Sequence, residues 1–182
     1  MSTIDQEAYL KAWNFACHAH RFQKLPGSDT PYVNHVGSVA MEVMVALSRE
    51  TVDQPDLAVQ CALLHDVLED TDTGFDALRS HFGPDIAQAV LSLSKDASLP
   101  DKRSQIEESI TRIRQQPREV WIVKLADRIT NLQHPPSHWD GVKIRHYREE
   151  AMLIHRSLGN ASEYLANRLA EKIDSYRRYL TA

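Results

Sequence analysis

The sequence has few features of a secreted or membrane-embedded protein. Its only two cysteines, Cys17 and Cys61, form no CxxC pair and no disulfide-rich spacing. The first ten residues, MSTIDQEAYL, lack the basic-then-apolar layout of a secretory signal. No run approaches the ~18 apolar residues of a membrane span. We therefore expect a cytoplasmic protein with no membrane partner.

An excess of positive charge is also absent. The 182 residues carry 21 Lys+Arg against 25 Asp+Glu, a formal net charge of −4, which argues against sequence-independent binding to DNA or RNA and predicts no nucleic-acid partner. There is no Walker glycine loop, GxGxxG or GxSxG motif. A small phosphate-bearing ligand is still compatible with this composition, because local basic residues bind it rather than the total charge.

What the sequence does contain is apolar spacing of helical period along nearly its whole length, without sustained period-2 alternation. One helix is predicted to end near Gln23, a second to begin near Pro31, and a third to run to about Glu69. The apolar VWIV (120–123) is ambiguous, but the helical spacing that continues behind it favours a helix. We predict an all-α protein, a multi-helix bundle formed by a single domain over residues 1–182.

Four polar residues follow the apolar half of CALLHDVLED (61–70). On one continuous helix His65 lies within ~40° of Glu69, and Asp66 within ~40° of Asp70, so all four side chains share a face. Three carboxylates on a partly buried face repel one another, and a divalent cation bound by imidazole and carboxylate would remove that repulsion. A solvated helix turn is the alternative, and this segment alone does not decide between the two.

Asp127, in VKLADRITNL, is a carboxylate within an apolar helix, and Asn131 lies one turn later on the same face. A buried carboxylate needs a counter-charge or a hydrogen bond to a helix terminus, and Arg128 points about 100° away from it. His35, in TPYVNHVGSVA, lies about one turn into the second helix. Two imidazoles and two carboxylates on three helices are a reasonable ligand set for one divalent ion inside a bundle. These candidate ligands are His35, His65, Asp66 and Asp127.

The other histidines lack a second ligand at useful spacing and are predicted to be surface or packing residues. They are His18, His20, His81, His134, His138, His146 and His155. Several basic side chains are candidates for neutralising phosphates, although a solvated helix face is the alternative for most of them. They are Lys95, Lys102, Arg103, Arg112, Lys124, Arg128, Lys143 and Arg145.

Four segments, in this order, resemble a known family: PYVNH, ALLHDVLEDTDT, HFGPDIAQAVLSLSK and VKLADRITNL. They look like the HD-domain hydrolases of RelA/SpoT-type alarmone enzymes, and in particular the stand-alone small alarmone hydrolases. The resemblance implies an HD-domain bundle with one interior metal, usually Mn²⁺, held by His35, His65, Asp66 and Asp127. It also implies a catalytic acidic pair, Glu69 and Asp70, and substrate contacts from Asn131, Lys143 and Tyr147.

The chain departs from the family pattern just before its Pro-Tyr pair. The family has an Arg/Lys-rich stretch there, from which a basic side chain packs on the guanine. The corresponding HRFQKLPGSDTPY has Arg21 and Lys24, but Leu25 and Pro26 stand near the expected basic positions. We expect Lys24 to bind the substrate, and the altered loop leaves the identity of the base open.

The resemblance implies metal-dependent hydrolysis of the 3′-pyrophosphate of guanosine tetra- or pentaphosphate (ppGpp or pppGpp) to GDP or GTP and pyrophosphate. The expected partner is then a small guanosine nucleotide. A phosphatase of NADPH or of another nucleotide on the same metal site is one alternative. A metal-stabilised nucleotide sensor without turnover is another, although a mere binder would not need an acidic pair beside the ligands. An oligomer is compatible with the sequence, which carries no signal for a particular state.

Overall fold

Nine α-helices and two short 3₁₀ turns make up the computed structural model, which describes residues 4–180. The helices are α1 (Gln6–Ala19), α2 (Val33–Leu47), α3 (Pro55–Leu64), α4 (Val67–Asp70), α5 (Phe75–Leu93), α6 (Lys102–Ile113), α7 (Arg118–Asn131), α8 (Gly141–Leu158) and α9 (Glu163–Ser175). The 3₁₀ turns are Gly159–Ala161 and Tyr176–Tyr179. No strand occurs between residues 4 and 180, where a single antiparallel bridge joins Lys24 and Pro31. The all-α prediction is confirmed, and VWIV lies within α7.

Several helices begin or break at residues that accept a hydrogen bond from a free backbone N–H or that lack a backbone N–H. Four helices begin behind a side chain that accepts a hydrogen bond from a backbone N–H two or three residues ahead. These N-caps are Asp5, Asp101, Asp140 and Ser162. The α5 helix is interrupted at Gly83, whose φ of 85° lies in the left-handed region, and Pro84 removes the next donor. The Gly83-Pro84 pair therefore makes a sharp break inside α5.

The α7 helix lies at the centre of the bundle and contacts α2, α3, α5, α8 and α9. Seven of the ten residues of α3 are buried, because this helix packs against α1, α2 and α7 at once. Since α2, α3 and α7 contact one another, the start of α2, the end of α3 and the middle of α7 meet in the interior. Within residues 4–180, no helix combines the length and apolar content that crossing a bilayer requires.

The third helix ends earlier than predicted. We expected it to continue to about Glu69, but α3 stops at Leu64, and a bend at His65 and Asp66 separates it from the single turn of α4. The physical reason is a side-chain bond: His65 Nδ1 lies 2.8 Å from the carbonyl oxygen of Ala62. This carbonyl is the α-helical acceptor for the Asp66 N–H, so the imidazole competes with continuation of the helix.

Candidate active site

The potential ligand atoms of His35, His65 and Asp127 lie within 4.8 Å of one another where α2, α3 and α7 meet. His35 Nε2 is 3.2 Å from His65 Nε2 and 3.4 Å from Asp127 Oδ1, and all three residues are buried. Asp66 adjoins this cluster, since its Oδ2 is 2.9 Å from His65 Nε2 and 3.7 Å from His35 Nε2. The structure therefore brings together the four candidate ligands singled out in the sequence.

The hydrogen bonds of the two imidazoles place their protons on Nδ1. His65 Nδ1 faces the Ala62 carbonyl oxygen, which can only accept. Thr130 Oγ1 donates to the carbonyl oxygen of Asp127 at 2.8 Å, so it accepts from His35 Nδ1 at 3.3 Å. In the neutral form of each ring, Nε2 therefore carries a lone pair. The two Nε2 atoms lie 3.2 Å apart, next to two carboxylates. A cation stabilises such an arrangement of four electron-pair donors.

The charges of the cluster favour a positive group at its centre. Burial lowers the pKa of His65, but the charge of Asp66 and its hydrogen bond outweigh this effect and raise that pKa to about 9. Burial raises the pKa of Asp127, whereas Lys124 and the two imidazoles hold it well below its usual range. For Asp66 the imidazole of His65 likewise overcomes burial and lowers the pKa. Both carboxylates are therefore ionised at neutral pH.

The spacing of the donor atoms fits a first-row divalent ion. Ligand atoms about 2.1 Å from one ion are about 3.0 Å apart in an octahedral site and about 3.4 Å apart in a tetrahedral one. The separations measured from the two imidazole nitrogens to each other and to the carboxylate oxygens run from 2.9 to 3.8 Å. Mixed imidazole and carboxylate ligands suit Mn, Fe or Zn. A His/Asp site able to hold a metal is therefore present.

Neighbouring side chains orient the carboxylates of this site. The hydroxyl of Tyr32 donates to Asp66 Oδ2. Asn131 Nδ2 donates to Asp127 Oδ1 at 2.5 Å, and Lys124 Nζ lies 3.2 Å from Asp127 Oδ2. Such outer contacts fix the direction in which a carboxylate presents its lone pairs to an ion.

The two acids of α4, Glu69 and Asp70, are bound by different parts of the chain. Both oxygens of Glu69 bind Lys95, one at 3.0 Å from Nζ and the other accepting the backbone N–H at 2.8 Å. Asp70 Oδ2 instead accepts from Gln23 Nε2 at 3.0 Å. Burial, followed by the charge of Asp66, raises the pKa of Asp70. A groove of about 840 Å³ opens beside both acids.

The predicted substrate-binding residues occupy three places. Asn131 is exposed and lies at the edge of the His/Asp cluster, where its side chain donates to Asp127. On α8, Lys143 Nζ lies 4.5 Å from the ring centre of Trp139, and the ring of Tyr147 lies 4.4 Å from the Arg128 guanidinium. Lys24 is exposed in the loop before α2, where its Nζ pairs with Asp29 at 2.6 Å.

The architecture and the site agree with a comparison against protein families, in which the HD domain matches residues 12–180. The chain belongs to the HD-domain family. Over 173 residues, it is 32% identical to the guanosine-3′,5′-bis(diphosphate) 3′-pyrophosphohydrolase MESH1 of Mus musculus, which covers 89% of this chain and 90% of that protein. The protein of the same name from Homo sapiens is 32% identical over 168 residues, covering 88% and 89%.

A solved structure shares this HD-domain architecture along almost its entire length. It belongs to a metazoan orthologue of SpoT, described as hydrolysing ppGpp and playing a role in starvation responses. The TM-score is 0.82 at 28% identity, covering 98% of this chain and 99% of that one. A Listeria monocytogenes EGD-e structure, lmo0812, shares the fold at a TM-score of 0.63 and 19% identity, covering 82% and 99%. The likeness carried by four short motifs thus extends over 98% of this chain.

Three residues that shape this HD-domain site were not assigned their roles from the sequence. The sequence makes Lys124 and Lys95 candidates for binding phosphates, whereas in the structure they pair with acids of the site. The spacing of Lys124, three residues before Asp127 on one helix, was a usable signal for that pairing. Lys95 and Tyr32 lie 26 and 34 residues from the acids they contact, so no local pattern connects them.

Proposed function

We propose that this HD-domain protein hydrolyses the 3′-pyrophosphate of ppGpp and pppGpp, yielding GDP or GTP and pyrophosphate. The convergence of two Nε2 lone pairs and two carboxylates in the interior carries this proposal, because it is a site for the divalent ion that such hydrolysis needs. Support comes from the relatives of matching length whose names state this reaction on guanosine-3′,5′-bis(diphosphate), which is ppGpp.

The ligands in this proposal are His35, His65, Asp66 and Asp127, and the ion is Mn²⁺. When bound, a divalent ion polarises a phosphate oxygen and lowers the pKa of water, which makes a nucleophile available near neutral pH. The chain contributes the rigidity of the site: His35 and Asp127 come from long helices, and Asn131 and Tyr32 hold the carboxylates in place.

Asp70 and Glu69 form the proposed acid–base pair. Asp70 takes a proton from water while the water oxygen attacks the phosphorus attached to the 3′ oxygen. The bond from that phosphorus to the 3′ oxygen breaks, and the proton held by Asp70 passes to the 3′ oxygen. Both oxygens of Glu69 are held by Lys95, whereas the Asp70 carboxylate receives one hydrogen bond from a neutral amide. A carboxylate paired with a cation is a weaker base, so we assign proton removal from water to Asp70 and orientation to Glu69.

The substrate contacts are assigned to Asn131, Lys143, Tyr147 and Lys24. Lys143 follows the N-cap of α8, and Tyr147 lies one turn further along the same helix, which packs on α7. An ammonium and a phenol one turn apart can reach a phosphate and a ribose of one nucleotide. A single domain over residues 1–182 and a cytoplasmic location complete the proposal, and both stay predictions from the sequence.

Pyrophosphate release from ppGpp by the purified protein, with and without Mn²⁺, tests the proposed reaction. We expect turnover with Mn²⁺ and a loss of at least about 100-fold in Asp66→Asn and in Glu69→Gln. Asp85→Asn, on an exposed position of α5, is the matched control and should retain full turnover. A protein that binds Mn²⁺ but turns over no nucleotide would instead support a nucleotide sensor.

A phosphatase of NADPH is the second candidate, and one observation favours it. Lys24, the basic residue expected to bind the substrate, is already paired with Asp29 in the same loop. Recognition of guanine through this side chain therefore requires that the pair opens. Parallel assays on ppGpp, pppGpp and NADPH distinguish the candidates, since phosphate release from NADPH without alarmone turnover would replace the first proposal with the second.

A further inference from the structure

A short hydrogen-bonded chain connects the end of α1 with an acid of the proposed pair. His20 is buried at 1% exposure, just behind α1, although the sequence alone suggested no functional role for it. Its Nδ1 lies 2.5 Å from Gln23 Oε1, and Gln23 Nε2 donates to Asp70 Oδ2 at 3.0 Å. The side chains of His20 and Gln23 thus lie in line behind the Asp70 carboxylate.

The donor and acceptor groups of the three side chains fix the direction of both hydrogen bonds. A carboxylate can only accept, so the NH₂ group of Gln23 faces Asp70 and its oxygen faces His20. His20 must then donate from Nδ1. Burial lowers the pKa of His20, so the ring is neutral at neutral pH and its single proton is the one on Nδ1.

The backbone around Gln23 is held at both of its polar groups. Its N–H donates to the carbonyl oxygen of His20 at 2.9 Å, and its carbonyl oxygen accepts the N–H of Tyr32 at 2.9 Å. The ring of His20 also packs on the ring of Tyr32, with centroids 5.0 Å apart. Gln23 is therefore anchored between α1 and the start of α2, close to the metal cluster.

The side chain of Asp70 has less support, although its backbone N–H donates to the carbonyl oxygen of Asp66 at 2.8 Å. Asp70 is the last residue of the four-residue α4, and it is exposed to solvent. Within residues 4–180, the carboxylate of Asp70 accepts a hydrogen bond from the Gln23 amide alone. A side chain on a single helical turn retains considerable rotamer freedom unless a neighbour restricts it.

We propose that Gln23 is a positioning residue for Asp70, and that His20 fixes the orientation of the Gln23 amide. This inference rests on the proposed function, in which Asp70 removes a proton from water. Gln23 holds one carboxylate oxygen and leaves the other free for that proton. Because a general base acts only at hydrogen-bonding distance from the proton it removes, a loss of this orientation slows the chemical step and leaves substrate binding intact.

Gln23→Glu is the decisive variant. Glutamate matches the size of glutamine and still accepts from His20, but it offers no donor to Asp70 and places a second carboxylate against it. With ppGpp and saturating Mn²⁺ we expect kcat to fall by about 10- to 100-fold, with KM within about twofold of the wild-type value. Gln115→Glu, which adds the same charge at an exposed position between α6 and α7, should leave kcat unchanged.

Variants of His20 test the hydrogen bond between His20 and Gln23. Asn presents an amide N–H near the position of the imidazole Nδ1, whereas Leu fills the space without any donor. We expect His20→Asn to retain several-fold more kcat than His20→Leu. The Mn²⁺ affinity, measured by isothermal titration calorimetry, and the far-ultraviolet circular dichroism should match the wild type in Gln23→Glu and His20→Asn, which separates positioning from a folding defect.

The outcomes distinguish this inference from the function on which it rests. A wild-type protein inert toward ppGpp overturns both. An active wild type whose kcat is unchanged by Gln23→Glu overturns the positioning role alone, as does a Gln23→Glu variant that loses turnover only through a higher KM or a weaker affinity for Mn²⁺. Equal kcat in His20→Asn and His20→Leu overturns the role of His20.

Discussion

Replacing Lys124 with Met tests whether the buried carboxylate of Asp127 requires a positive charge beside it, from Lys124 or from a bound ion. Lys124 Nζ lies 3.2 Å from Asp127 Oδ2, and the two residues are 5% and 6% exposed. Methionine keeps a long flexible stem in the same space and removes the charge. In the metal-free protein the variant therefore leaves a buried carboxylate with the amide of Asn131 and two imidazoles around it.

The size of the effect follows from this distance. Two unit charges 3.2 Å apart interact by about 5 kcal/mol at an effective dielectric constant of about 20. Part of this is offset because the variant no longer buries an ammonium, so we expect the free energy of unfolding of the metal-free protein to fall by about 3 kcal/mol. A bound divalent ion supplies the missing positive charge. In saturating Mn²⁺ we therefore expect a loss of about 1 kcal/mol.

Urea unfolding followed by circular dichroism, in EDTA and in saturating Mn²⁺, measures both values. Lys102→Met, on the exposed start of α6, is the control for loss of a lysine and should change neither. An equal loss with and without Mn²⁺ would show that Lys124 stabilises the fold independently of the ion, and no loss in EDTA would refute the pairing with Asp127.

Three further substitutions probe separate contacts. In Tyr32→Phe the hydroxyl that donates to a candidate ligand is gone, so we expect Mn²⁺ affinity by calorimetry to fall about 10-fold; unchanged affinity would contradict this role. Lys95→Met frees one oxygen of Glu69, and steady-state pyrophosphate release should show kcat reduced about 10-fold at wild-type Mn²⁺ affinity. Arg168→Leu leaves the buried Glu42 without its charged partner, so the free energy of unfolding measured in urea should fall by about 2 kcal/mol. The kcat per folded molecule should not change.

The features that the sequence predicted well are those governed by local periodicity. Apolar spacing is sufficient to place α2 and α7, and with them His35 near the start of one helix and Asp127 in the middle of another. Their meeting with His65 was expected because an imidazole and a carboxylate in apolar helices need partners. The distances of 3.2 and 3.4 Å around His35 Nε2 agree with that expectation.

The features that the sequence did not predict depend on tertiary contacts. The end of α3 at Leu64 follows from a side-chain bond of His65 that competes with the helix, and apolar periodicity does not register such a bond. His20 resembles any other isolated histidine in the sequence, because Asp70, the acid that its partner Gln23 contacts, lies 47 residues after Gln23. The contact between Lys95 and Glu69 was not predicted either, because the two residues lie 26 positions apart in the sequence.

The bend at His65 and Asp66 divides the site between two mechanical supports. His65 ends a helix buried in the core, whereas Glu69 and Asp70 lie on a separate turn held by the α1–α2 loop and the segment after α5. In the proposed mechanism, the ion is bound mainly by residues of the core helices, whereas proton removal depends on these flanking segments. Altering the segment after α5 would re-aim Glu69 toward a different phosphate ester through Lys95, whereas the α1–α2 loop also orients Asp66 through Tyr32.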